Sequence, residues 1–144
     1  MKATLDHVGI AVSDLQAALA FYRDALGLEI EAPEEVTSQR VRAHFLPLGE
    51  GIDGGAGPPG VKLELLEPTS PDSPVQKFID KRGEGLHHMT FQTDDLAGRL
   101  ENLKKANIGL IDETPRIGAG GACIAFIHPK SAHGVLIELC EYHD

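Results

Sequence analysis

Two strand-like stretches in this chain open on histidine, His7-Val-Gly-Ile-Ala-Val12 and His88-Met-Thr-Phe-Gln-Thr93. Each runs at once into Asp-Leu and an amphipathic helix pattern. Offset by 81 residues, the two superimpose: His7 falls on His88, Asp14 on Asp95, Leu15 on Leu96, Leu19 on Leu100 and Ala25 on Ala106. The ends of the halves match as well. Lys62-Leu-Glu-Leu-Leu-Glu67 resembles Leu136-Ile-Glu-Leu-Cys-Glu141, which sets Glu64 against Glu138. A repeat of half the chain is one supersecondary unit used twice, and it folds as one body when neither copy can bury its sheet alone. The reading is a single domain over 1–144, with a first module at about 1–67, a linker and helix at about 68–85, and a second module at about 86–144.

Periodicity gives each module the order strand, helix, three strands, an α+β chain of two tandem βαβββ modules. From His7 to Val12 the residues alternate strictly, so Val8, Ile10 and Val12 face a core while His7, Gly9 and Ala11 share the other face. Ser13 or Asp14 caps a helix carried by Leu15, Leu19, Tyr22 and Leu26, with Ala18 and Phe21 widening the stripe and Gly27 as its stop. Leu28 to Ile30 reads as a short strand, 32–38 as an irregular connection, and Gln39 to Leu48 as the next strand. Six glycines and two prolines over 49–60 describe a long hairpin loop, either a lid or a tolerated insertion. Val61 to Glu67 is the strand of Glu64. Ser73 caps a short helix from Pro74 to about Lys81. In the second module alternation separates two adjacent histidines: His87 goes with Met89 and Phe91 toward the core, and His88 with Thr90 and Gln92. Asp94 or Asp95 caps a helix carried by Leu96, Leu100, Leu103 and Ile108. Short strands follow at 108–111, 122–128 and 135–141, with a glycine-rich turn at 115–121 and a hairpin turn at 129–134.

His7, Glu64, His88 and Glu138 form a mixed imidazole and carboxylate set suited to one divalent ion such as Co, Mn, Ni or Zn. A Glu between Leu63 and Leu65, and another between Ile137 and Leu139, must face water, a partner or a metal. An ordinary solvent-facing strand side is the competing reading. Carboxylates from both halves would flank a metal-bound substrate from two sides. A carbonyl on the ion has a more acidic α-proton, which one carboxylate can remove while another returns a proton to the opposite face. The formal net charge of −9 argues against nucleic acid or an anionic membrane surface as partner. No apolar run approaches the roughly 20 residues of a membrane span. The N-terminus leads directly into the first strand, and Cys123 and Cys140 sit in apolar patterns, so a cytoplasmic protein without disulfides is expected.

Asp6-His-Val-Gly-Ile-Ala-Val12, the doubled module and the H/E/H/E set resemble the vicinal oxygen chelate superfamily, which includes glyoxalase I, extradiol dioxygenases and antibiotic-resistance proteins. Within it, KLELLEP at 62–68, DSPVQKFIDKRGEGLHHM at 72–89 and GAGGACIAFIHPKSAHGVLIELCE at 118–141 look most like the methylmalonyl-CoA epimerases. The resemblance implies a cupped, incompletely closed β-barrel around one metal, and a homodimer. It implies interconversion of (R)- and (S)-methylmalonyl-CoA through a metal-stabilised enolate. It carries the metal ligands onto His7, Glu64, His88 and Glu138, with Glu138 and Glu64 as catalytic carboxylates. Lys130 and Arg116 are candidates for the acyl-CoA phosphates. A Glu that some members carry in the second strand falls on Ala43, which leaves the second base open among Glu64, a metal-bound water and His44. A lactoylglutathione lyase of the glyoxalase I type, or a non-catalytic small-molecule binder of the same fold, are the alternatives.

Overall fold

A computed structural model describes residues 3–49 and 60–143. Most of the 49–60 loop therefore lies outside the described residues. The chain divides into two compact units, one of residues 7–87 and one of residues 1–6 with 88–144. The divisions fall inside the two histidine strands, between Asp6 and His7 and between His87 and His88.

In the 7–87 unit, β1 (Thr4–Ala11) leads to α1 (Leu15–Leu19), then β2 (Glu34–Val36), β3 (Val41–Pro47), β4 (Lys62–Pro68) and α2 (Pro74–Arg82). The strand order is β2-β3-β4-β1, with β1 parallel to β4 and the other pairs antiparallel. In the 88–144 unit, β5 (Gly85–Gln92) leads to α3 (Leu96–Lys105), β6 (Arg116–Ile117), β7 (Cys123–Ile127) and β8 (Ile137–Glu141), in the order β5-β8-β7-β6. The βαβββ reading holds in both.

Each core lies between one sheet face and one helix. Val12, Leu46 and Leu65 pack on Leu15 and Leu19 of α1; Ala125, Ile127 and Leu139 pack on Leu96 and Leu100 of α3. Asp14 Oδ1 caps α1 by accepting from the amides of Gln16 and Ala17, and Asp95 Oδ1 caps α3 by accepting from Gly98 N–H. A second carboxylate reaches each helix start from the strand beside it: Glu67 Oε2 accepts from Leu15 N–H and Glu141 Oε2 from Leu96 N–H, both at 2.8 Å. Ser73 caps α2 and Pro74 opens it. Gly83, at φ 80°, ends it in a conformation that costs a glycine little.

Three expectations change. After Leu19 the first helix continues over Ala20–Ala25 in wider turns, with Leu26 N–H bonded to Phe21 O, five residues back. The wider turns change the helical period, and Phe21 and Leu26, expected on the apolar stripe, are both exposed. Leu28 and Ile30 pack on the α1 core without forming a ladder, and the strand lies instead at Glu34–Val36. Its partner β3 returns through a turn in which Arg40 takes φ 53°, and pairing prevails over the low strand preference of two glutamates. Likewise 108–111 contributes only the bridge of Leu110 to Ile127, while Arg116–Ile117, read as turn, pairs with β7. Among the described residues no helix is long and apolar enough to cross a membrane.

Because Glu67 and Glu141 hold equivalent helix starts, Glu67→Ala and Glu141→Ala are each expected to cost about 1 kcal/mol, or roughly 3 °C in calorimetric midpoint. Midpoints equal to the parent protein's would show that these bonds contribute nothing.

Candidate functional site

The side chains opposite each helix-packed face are the ones singled out by the repeat. In the 7–87 unit the registers Gly9↔Glu64 and Phe45↔Glu64 put His7, Gly9, Glu64 and Phe45 on one face. His7 Nε2 lies 3.5 Å from Glu64 Oε1. In the 88–144 unit, Thr90↔Glu138 and Phe126↔Glu138 give the same face, with His88 Nε2 3.9 Å from Glu138 Oε1. All four are buried, at 5–6% exposure. The solvent-facing reading of these strand sides therefore fails. His7, Gly9 and Ala11 are buried while Val8 and Ile10 are only half-buried, so the small and polar face of β1 is the more enclosed one.

Each imidazole is held in the same way. The Phe45 ring stands edge-on to His7, with centroids 5.4 Å apart and planes at 85°. The Phe126 ring stands edge-on to His88 at 5.9 Å and 85°. A cation covers each phenyl ring: Lys62 Nζ is 5.4 Å from the Phe45 centroid and Arg116 Cζ is 5.5 Å from that of Phe126. Phe45 and Phe126 share the 81-residue offset of the histidines, a signal present in the sequence that the strand pattern alone did not raise. The units differ at one neighbour. Thr90 Oγ1 donates a 2.7 Å hydrogen bond to Glu138 Oε1, fixing that carboxylate, where the first unit has Gly9.

The donor set fits a divalent ion. Within each pair, an imidazole nitrogen and a carboxylate oxygen approach at 3.5 and 3.9 Å. Two atoms bonded at about 2.1 Å to one ion stand roughly 3.0–3.4 Å apart at ligand angles of 90–110°. A small movement would bring each pair to that spacing.

The other named residues divide. Arg116, on β6, lies on the site face beside Ile124, and its Nε is 3.1 Å from Asp112 Oδ1 in an ion pair that makes no hydrogen bond. Asp112 also accepts from Phe126 N–H, so one carboxylate holds both the guanidinium and the strand beneath it. Lys130 is exposed in the turn Pro129–Ala132, outside the strands that carry the pairs. Ala43 is fully buried on the site face. His44 points to the other side, opposite Leu65, with Nδ1 3.4 Å from Glu31 O, which removes it from the acid/base candidates. His87 is half-buried against Phe78 of α2 rather than in the main core.

Cys140 shares a strand face with Glu138. Burial, then the Asp6 and Glu138 carboxylates, push its thiol from 9.0 up to about 12, so it remains a thiol at neutral pH. Burial and Asp6 likewise raise the Tyr142 phenol, which donates to both Asp6 carboxylate oxygens. The folded state thus holds the Cys140 proton more tightly than the unfolded chain. Its contribution to stability is complete below pH 9.0 and is lost as pH rises toward about 12, at about 1.4 kcal/mol per pH unit. Cys140→Ala is expected to flatten this alkaline loss in urea titrations between pH 8 and 11; equal slopes would remove Cys140 from the account.

Residues 6–126 match the family model described as Glyoxalase/Bleomycin resistance protein/Dioxygenase superfamily. The chain is 44% identical to an uncharacterized protein of Bacillus subtilis over 95% of this chain and 91% of that protein. It is 37% identical to an ethylmalonyl-CoA/methylmalonyl-CoA epimerase of Cereibacter sphaeroides, over 96% of this chain and 98% of that one. Its structure superposes on Streptomyces coelicolor methylmalonyl-CoA epimerase in complex with 2-nitronate-propionyl-CoA with a TM-score of 0.85, at 40% identity over 96% and 93% of the two chains.

Proposed function

Since this chain belongs to the glyoxalase/bleomycin resistance protein/dioxygenase superfamily, and relatives matching it nearly end to end are epimerases, we propose that it interconverts the two epimers of methylmalonyl-CoA. The observation that carries the reading is the buried His/Glu pair at matching places in both units. In this reading the modules act as one domain and cup one divalent ion held by His7, Glu64, His88 and Glu138. The identity of the ion and the pairing of two chains into a homodimer are further parts of the proposal. When bound, such an ion supplies Lewis acidity that makes the α-C–H of the thioester easier to ionise.

The protein's own groups then move the proton. Glu138, oriented by Thr90, takes it from C2 of the malonyl unit, and the C–H electron pair passes onto the thioester carbonyl. Return of a proton from a second, protonated carboxyl group to the other face of C2 gives the opposite epimer and leaves Glu138 protonated; proton exchange with solvent between turnovers resets both groups. Glu64, from the first module, is the corresponding carboxylate, although one that also serves as ligand is a weakened base. Burial of both histidines and both glutamates keeps water away from the carbanion, which favours return of the proton over side reactions. Arg116, pinned by Asp112, offers a fixed cation to an anionic part of an acyl-CoA, and exposed Lys130 offers a second one.

Proton NMR of methylmalonyl-CoA in D2O tests this directly. Cobalt-reconstituted protein is expected to wash deuterium into C2, and EDTA to abolish the exchange. No exchange with cobalt, manganese, nickel or zinc would sink the reading. Glu138→Gln should lower turnover by about 100-fold or more while leaving the thermal midpoint near that of the parent; near-normal turnover would refute its role.

A further inference from the structure

We infer that Glu34 is the second acid/base of this site, working opposite Glu138; the assignment rests on the epimerase reading above. Epimerisation needs a proton donor or acceptor on each side of the α-carbon. On the site face of the 7–87 unit, the registers place Val41, Ala43, Phe45 and Pro47 of β3, Lys62, Glu64 and Leu66 of β4, and Glu34 and Val36 of β2. Two carboxylates stand among them, Glu64 and Glu34. Glu64 pairs with His7 and, with Gly9 in the place of Thr90, lacks the hydroxyl that orients Glu138, so it is assigned to the ion alone. Glu34 is the carboxylate of that face with no ligand role.

Its position suits the task. Glu34 is directly opposite Ala43, and Phe45, two residues along β3, is directly opposite Glu64. Directly opposed side chains in an antiparallel pair start about 5 Å apart, so the stem of Glu34 rises beside the methyl of Ala43, which is too small to block it. Strands about 4.8 Å apart put Glu34 two strands from Glu64, which leaves space for a substrate carbon between the ligand carboxylate and the acid/base. Glu34 is half-buried, whereas Glu64 is 5% exposed. It can therefore exchange its proton with solvent between turnovers.

The equivalent place in the other unit sharpens the argument. Arg116 pairs with Ile124, two residues before Phe126, which is opposite Glu138. Each edge strand thus sets one charged side chain at the same point of its site face, an acid in one unit and a guanidinium in the other. A guanidinium stays charged at any working pH and does not release a proton. Of the two matching positions, only Glu34 can do acid/base work.

The test follows each epimer separately in D2O by NMR, with full-length cobalt-loaded protein, for the parent and Glu34→Gln. The variant is expected to lose epimerisation by about 100-fold or more. One epimer, whose proton Glu138 takes, should still acquire deuterium at C2 with retained configuration, and the other should stop exchanging. Cobalt stoichiometry and thermal midpoint should match the parent. An equal loss of exchange from both epimers, undiminished epimerisation, or lost cobalt would each overturn the assignment. A parent protein that exchanges neither epimer would instead overturn the epimerase reading and this assignment with it.

Discussion

A carboxylate and an imidazole buried in the middle of a strand are costly unless something compensates them. In this protein that cost is met twice in the same way, and the surrounding structure follows from it. His7 and Glu64 approach across a parallel strand pair; His88 and Glu138 do the same in the other unit. The strands that carry them must keep their register, because a slip of one residue would send both groups into the helix-side core. Leu65 beside Glu64, and Leu139 beside Glu138, fill those cores against α1 and α3 and hold the register. The site is thus positioned by the packing of its neighbours in sequence.

Around each pair the two units repeat their supports: a phenyl ring edge-on to the histidine, a cation over that ring, and a carboxylate from the strand end on the first amide of the helix. They differ at two positions. Thr90 orients Glu138, while Gly9 leaves Glu64 without that hydroxyl; Glu34 and Arg116 occupy one equivalent position with opposite charge.

Much of this could be read without coordinates. The 81-residue offset identified both histidines, both helices and their Asp caps, and the ends of the halves identified both glutamates. Strict alternation separated His88 from His87, because period two is a local property of an extended chain. The short edge strands could not be read in this way. Glu34–Val36 and Arg116–Ile117 are too brief and too polar to show a period, and each exists because a longer neighbour offers it a ladder. The strand-like stretches near 28–30 and 108–111 are apolar because they pack on the cores.

What the amino-acid order determined by itself, then, was a doubled βαβββ plan, the residues that bear its imidazoles and carboxylates, and the strand face each one occupies. These depend on patterns within a few residues of one another. The tertiary structure decided that the polar faces are buried, that His44 turns toward the helix side, and that Glu34 comes to stand opposite Ala43. Burial and cross-strand neighbours depend on which distant segments pair and in what register, and that is settled by packing summed over the whole unit rather than by any local run of residues.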